Sequence, residues 1–150
     1  MKWAVFSKGD LERLFNQSKP ILLYRRIRIL EEAGILTRFS RGFYITPDFN
    51  KEVLCGRMNP NSYISLGTIL AKELMIGSIP TTTVYAVKTG RNREYKGTDL
   101  TLVYVGISEK LFFGYKVENG LRFATAEKAL LDTLFFINAD IYFPLTFMKI

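Results

Sequence analysis

Apolar positions recur with helical spacing over two short stretches near the start of the chain. In residues 8–16, Leu11, Leu14 and Phe15 fall at i, i+3 and i+4, which predicts a helix capped by Ser7 with Asp10 in its first turn. In residues 20–33, Leu23, Ile27 and Leu30 share one face, while Tyr24, Arg25 and Arg28 project from the opposite side and Arg26 lies on the flank. Ser18 is expected to cap this second helix, Pro20 to sit in its first turn and Gly34 to end it. Residues 35–39 and 43–46 then read as a hairpin around Ser40, Arg41 and Gly42, with Gly42 at the left-handed loop position and Pro47 closing the unit.

Residues 49–60 carry mixed charge and no period, which predicts a linker. Beyond it, Ser65 is expected to cap a helix over 66–75, stopped by Gly77 and Pro80. Residues 82–89, 100–107, 111–117 and 121–125 are rich in β-branched and aromatic side chains and are expected as strands, with turns at Thr89-Gly90, Lys96-Gly97 and Asn119-Gly120. A last helix over 126–136, capped by Thr125, takes Leu130, Leu131 and Leu134 as its inward stripe. The pattern predicts an α/β protein: a winged helix-turn-helix over 1–48, the linker over 49–60, and a mixed α/β domain over 61–150.

Composition narrows the chemistry. The chain has 150 residues, 48% of them hydrophobic, enough to bury a real core. Its single Cys, Cys55, and the absence of His exclude an internal disulfide, a structural zinc site, a Ser-His-Asp triad and a Cys-His pair. No catalytic, cofactor-binding or metal-binding residue is expected. The segment MKWAVFSKGD lacks the apolar run of a signal peptide, and the longest apolar region, 129–150, is broken by Asp132, Asn138, Asp140 and Pro144, so a cytoplasmic protein without a membrane span is expected.

Charge points to a polyanionic partner. The net charge is +7, and residues 1–50 hold nine Lys and Arg against five Asp and Glu. Lys19, Arg25, Arg26 and Arg28 precede Glu31 and Glu32, so positive charge collects on the N-terminal half of the second helix, the half that enters the major groove in a helix-turn-helix domain. Arg25 and Arg28 are expected to contact guanine edges, Lys19 a phosphate, and Arg38 and Arg41 the backbone beside the wing, with Tyr24 on the same helix. A second basic stretch, Lys88, Arg91, Arg93 and Lys96, extends the expected DNA contact through Arg91 and Arg93.

The wing segment Arg38-Phe39-Ser40-Arg41-Gly42-Phe43-Tyr44 resembles the end of the N-terminal domain of AbiEi-type antitoxins. Asn61-Ser62-Tyr63-Ile64-Ser65-Leu66, Lys88-Thr89-Gly90-Arg91, Leu111-Phe112-Phe113-Gly114-Tyr115 and the run from Ala124 to Asp132 resemble that family's further landmarks, in its order. The resemblance implies an antitoxin of a type IV toxin-antitoxin (abortive infection) system. Its winged helix would repress its own operon by binding double-stranded operator DNA. Its C-terminal domain would counter a nucleotidyltransferase-like toxin without needing a stable complex. Winged helices normally have their first helix ahead of the segment Trp3 to Ser7, and members of this family usually continue further past the Glu127-Lys128 block, so the resemblance implies a C-terminally shortened antitoxin domain.

Other readings use the same residues. A stand-alone winged-helix regulator needs no antitoxin activity. A protein-interaction module would expose Phe112, Phe113 and Tyr115, which as a strand would otherwise be core. A metal-dependent nuclease would use Glu127, Lys128 and Asp132, but Glu127 in a first helical turn is the ordinary partner of the helix dipole.

Overall fold

The structure is a computed structural model that describes residues 4–73, 77 and 82–138. The chain adopts the expected α/β class. Its N-terminal part runs β1 (Val5–Ser7), α1 (Lys8–Phe15), α2 (Pro20–Glu32), β2 (Thr37–Ser40) and β3 (Phe43–Ile45), with the strands in antiparallel order β1-β3-β2. Ser7 caps α1 through a reciprocal box: its Oγ accepts the Asp10 N–H at 3.1 Å while the Asp10 carboxylate accepts the Ser7 N–H at 2.8 Å. Asn16 ends α1 in the left-handed conformation, and Gly34 follows the end of α2 with φ 75°. Ser18 does not cap α2: the N-cap is Lys19, with no side-chain cap bond, and Pro20 starts the helix where an N–H has no helical partner anyway.

The segment expected as a linker is instead mostly helix. Asn50 caps α3 (Lys51–Met58) by accepting from the N–H groups of Glu52 and Val53, and Leu54 and Cys55 on that helix are fully buried. Its mixed charge misleads because Glu52 and Arg57 pair with Lys72 and Asp10 on other elements, while Val53 and Met58 join Leu54 and Cys55 against the core. There follow β4 (Ser62–Ile64), α4 (Leu66–Lys72), β5 (Thr83–Thr89), β6 (Arg93–Lys96), β7 (Thr101–Ile107), β8 (Tyr115–Glu118), β9 (Leu121–Ala124) and α5 (Ala126–Asn138). Six of these form one mixed sheet in the order β6-β7-β5-β4-β9-β8, with β5 and β7 parallel over their whole length. The span 111–117 is not one strand; a short 3-10 turn, Glu109–Leu111, precedes β8. The predicted helix end near Met75 and the stop at Pro80 lie outside the described residues.

Helices cover both faces of the large sheet. Tyr104 donates its hydroxyl to the Cys55 carbonyl on α3, whereas Tyr63 donates to Asp132 on α5. The predicted inward stripe of α5 is rotated: Ala129, Thr133 and Phe136 are buried with Lys128 and Asp132, while Leu131 and Leu134 are 59% and 46% exposed. A buried ion pair on that helix fixes the rotation, because its two charged side chains have partners only inside.

The small sheet is apolar on both faces. Val5 and Phe39 belong to the large core, with Phe43 and Ile45 packed against it. Tyr44, from the other face, joins Leu11, Leu23, Ile27 and Leu36 in a second core beneath α1 and α2, lined also by Phe6. Phe39 reaches the turn after β6, where a Cβ on Gly97 would strike its ring. The two parts therefore share side chains, and we expect one cooperative unfolding transition in a urea titration followed by both fluorescence and circular dichroism. Phe39→Ala should lower stability by about 3–5 kcal/mol while keeping the transition single; two separated transitions in the wild type would show that the small sheet does not couple the parts.

Candidate nucleic-acid interface

Helix α2 divides its side chains by direction. Leu23 and Ile27 are buried, and Ile21, Arg25 and Arg28 recur at i, i+4 and i+7 on the exposed side. Neither arginine forms an ion pair with a carboxylate among the described residues, so both charges remain uncompensated. Lys19, just ahead of the helix, is exposed too, its backbone N–H held by the Gln17 side chain at 3.3 Å. Arg26 differs, leaning over the Phe15 ring at 5.8 Å.

Tyr24 is 48% exposed and carries the Lys8 ammonium over its ring at 5.2 Å. Arg38 stands directly opposite Tyr44 in the β2–β3 register. The Tyr44 phenol is raised by burial first, with Arg38 and Lys8 opposing and Glu31 and Tyr24 adding to the rise, which places all four groups around it. Lys8 and Tyr24 thus meet across α1 and α2, and Arg38 stands opposite Tyr44 on the same sheet. Sequence reasoning passed over Lys8; its signal was a cation in a first helical turn, where the helix dipole disfavours positive charge. Arg41 is exposed at the hairpin tip, and the neighbouring Gly42 carbonyl accepts the Lys8 N–H at 2.9 Å, tying tip to helix start.

The second basic stretch is a built loop. Lys88 spends its ammonium on the carbonyls of Thr89 at 3.0 Å and Arg91 at 2.6 Å, so it is an internal brace and not a free cation. Asn92 accepts the Gly106 N–H at 2.7 Å, and a Cβ on Gly106 would strike the Gly90 carbonyl. Arg91 is left exposed, as is Arg93, which lies over the Tyr95 ring at 5.0 Å. These two stand on the large sheet, apart from α2, although β2 lies against β6 through Phe39.

Beneath this surface two ionic clusters hold the parts in place. Asp10 accepts from Arg13 at 2.7 Å and from Arg57 of α3 at 2.6 Å, and Arg57 also donates to the Val5 carbonyl at 3.0 Å. Burial raises the Asp10 carboxyl, but hydrogen bonds from Ser7, Arg13 and Arg57 outweigh it and hold the group at about 2. In the large domain, Asp132 accepts from Tyr63 and Ser65 on one oxygen and from Lys128 on the other, each at 2.9 Å. Lys128 also donates to the Leu111 carbonyl at 2.9 Å. The Ser65 hydroxyl, expected as a helix cap, is turned to this cluster instead. Both oxygens of Asp132 are engaged, and among the described residues no group of three or more Cys, Asp and Glu converges as a metal site. Phe112 and Tyr115 pack on the Tyr63 ring at 5.0 and 5.4 Å; only Phe113 of that trio is more than half exposed. Among the described residues no helix is long and apolar enough to cross a membrane.

Two outcomes follow from these clusters. The folded Asp10 carboxyl lies below its ordinary 3.8, so the stability it contributes is complete above about pH 4 and is lost as the pH falls towards about 2. Asp10→Asn should flatten that part of the acid profile in urea melts, and an unchanged profile would remove Asp10 as the cause. Lys128→Met, which leaves the Asp132 charge buried without its cation, should cost about 3–5 kcal/mol in the same assay. No family model matches the chain and no curated protein matches it, so a functional reading rests on this geometry and on the motif resemblance alone.

Proposed function

We propose that the protein is a DNA-binding transcriptional repressor, with α1 and α2 as a helix-turn-helix and the β2–β3 hairpin as its wing. The single observation that carries this reading is the exposed face of α2, where Arg25 and Arg28 lie uncompensated on the side opposite the Leu23 and Ile27 core. Arg25 and Arg28 read guanine edges in the major groove, Lys19 holds a phosphate at the helix start, and Tyr24 lines the groove beside them. Arg38 and Arg41 place the hairpin on the backbone, and Arg91 and Arg93 give a second, weaker backbone contact from the large sheet. The motif resemblance supports a narrower role, that of a cytoplasmic antitoxin of a type IV toxin-antitoxin system that represses its own operon and opposes a nucleotidyltransferase-like toxin.

A gel-shift titration of the full chain against DNA upstream of its own gene, with scrambled competitor and a salt series, tests the repressor reading. Specific binding should survive the competitor; equal affinity for cognate and scrambled duplexes would overturn it. Arg25→Ala and Arg28→Ala should each cost about 1–3 kcal/mol of specific binding and relax preference at one position, whereas Arg91→Ala should weaken all sequences alike and lower the salt dependence. Co-expression with a neighbouring nucleotidyltransferase-like gene tests the antitoxin role, for which growth rescue is the expected result.

A further inference from the structure

The outward stripe of α2 begins with a residue that neither the core nor electrostatics explains. Ile21 is 76% exposed, more than any other large hydrophobic side chain among the described residues, and it occupies the first turn of the helix on the face shared with Arg25 and Arg28. Exposed isoleucine contributes nothing to the α1–α2 core and is a middling helix former, so the fold does not call for it there. Exposed Lys19 lies two residues before it and exposed Arg25 and Arg28 four and seven residues after it, a positive charge that suits a polyanion and would set like charges against each other if two copies of this face met.

We propose that Ile21 packs on the C5 methyl group of a thymine in the major groove, so that Ile21 and Arg25 together read a thymine and a guanine. The proposal rests on the DNA-binding reading above and adds a base identity to it. The thymine methyl is the one apolar group that the major groove presents, and apolar side chains recognise it by contact. Four residues of helix advance about 6 Å, and successive bases about 3.4 Å, so the thymine lies within about two base pairs of the guanine read by Arg25.

The test begins with selection of binding sites from a random duplex pool using the full chain. Each thymine of the selected site is then replaced by uracil, which removes only the methyl group. Wild type should bind about fourfold more weakly at one such position, the value of one buried methyl. Ile21→Ala should bind the thymine and uracil duplexes equally while keeping the guanine preference that Arg25→Ala loses. Its thermal midpoint should match wild type, because the side chain is exposed. Sequence-specific binding with no uracil effect, or with one that persists in Ile21→Ala, overturns this inference and leaves the repressor reading standing. Failure of wild type to select any sequence overturns both. Loss of self-association in Ile21→Ala, with an unaltered thymine-to-uracil ratio, assigns the residue to a protein contact and overturns the inference as well.

Discussion

The three-stranded sheet β1-β3-β2 is apolar on both faces, and a separate core lies against each of them. Along β3 the side chains alternate, Phe43 and Ile45 to one side and Tyr44 to the other, as the pleat requires. An ordinary hairpin beside two helices would bury one face and wet the other. Here α1 and α2 close over Tyr44 and Phe6, and the large domain closes over Val5, Phe39 and Ile45. The hairpin cannot swing on its own, because Phe39 is lodged against a turn whose Gly97 leaves room for its ring. Packing at Phe39 therefore anchors the hairpin beside β6, the strand that carries Arg93.

Ion pairing inside the molecule determines where charge is left outside. Asp10 engages Arg13 and Arg57, Glu52 pairs with Lys72 at 2.6 Å, Asp132 neutralises Lys128, and Lys88 is satisfied by loop carbonyls. These contacts differ in worth. The Arg13 pair, with its guanidinium 80% exposed, contributes little beyond solvation, whereas the Asp132 cluster is buried and hydrogen-bonded throughout. Once the paired cations are set aside, the surplus positive charge among the described N-terminal residues sits on Lys19 and α2, the hairpin and the start of α1. A net charge spread along the sequence becomes a local field only through this sorting.

Elements with strong local signals were legible: α1 through its Ser7 box, α2 through Pro20 and Gly34, and the β8–β9 hairpin through Asn119 and Gly120, both with positive φ. Elements whose character comes from distant contacts were not. β1 is three residues long and exists only as a partner of β3, α3 carries charged residues whose partners Asp10 and Lys72 lie on other elements, and β6 is a mostly exposed edge strand that reads as a charged loop. The rotation of α5 was misread because leucines were assigned inward by hydrophobicity, and a Lys128–Asp132 pair that needs Tyr63 and Ser65, far away in sequence, decides the matter instead. For the candidate interface, the exposure of Tyr24, Arg25 and Arg28 followed from helix periodicity, whereas Lys19, Arg38, Arg41, Arg91 and Arg93 were singled out by charge and position and are exposed as well. The involvement of Lys8 and the withdrawal of Lys88 did not, since both depend on what lies across space.

The positions that carry the motif resemblance fall into two physical classes, one buried and one exposed. Tyr63 and Ser65 from one block meet Lys128 and Asp132 from another in a single buried cluster, and Phe112 and Tyr115 from a third stack on Tyr63. Such residues are constrained by each other, so a likeness built on them bears on how the large domain packs. Arg38, Arg41 and Arg91 are exposed and make no side-chain hydrogen bond or ion pair among the described residues, so their identities are free to follow a target. A shared interior is compatible with many surfaces. On the proposed reading, the choice of DNA sequence would lie with the outward side chains of α2 and the hairpin, and any opposition to a toxin would likewise act through residues that the buried cluster supports but does not include.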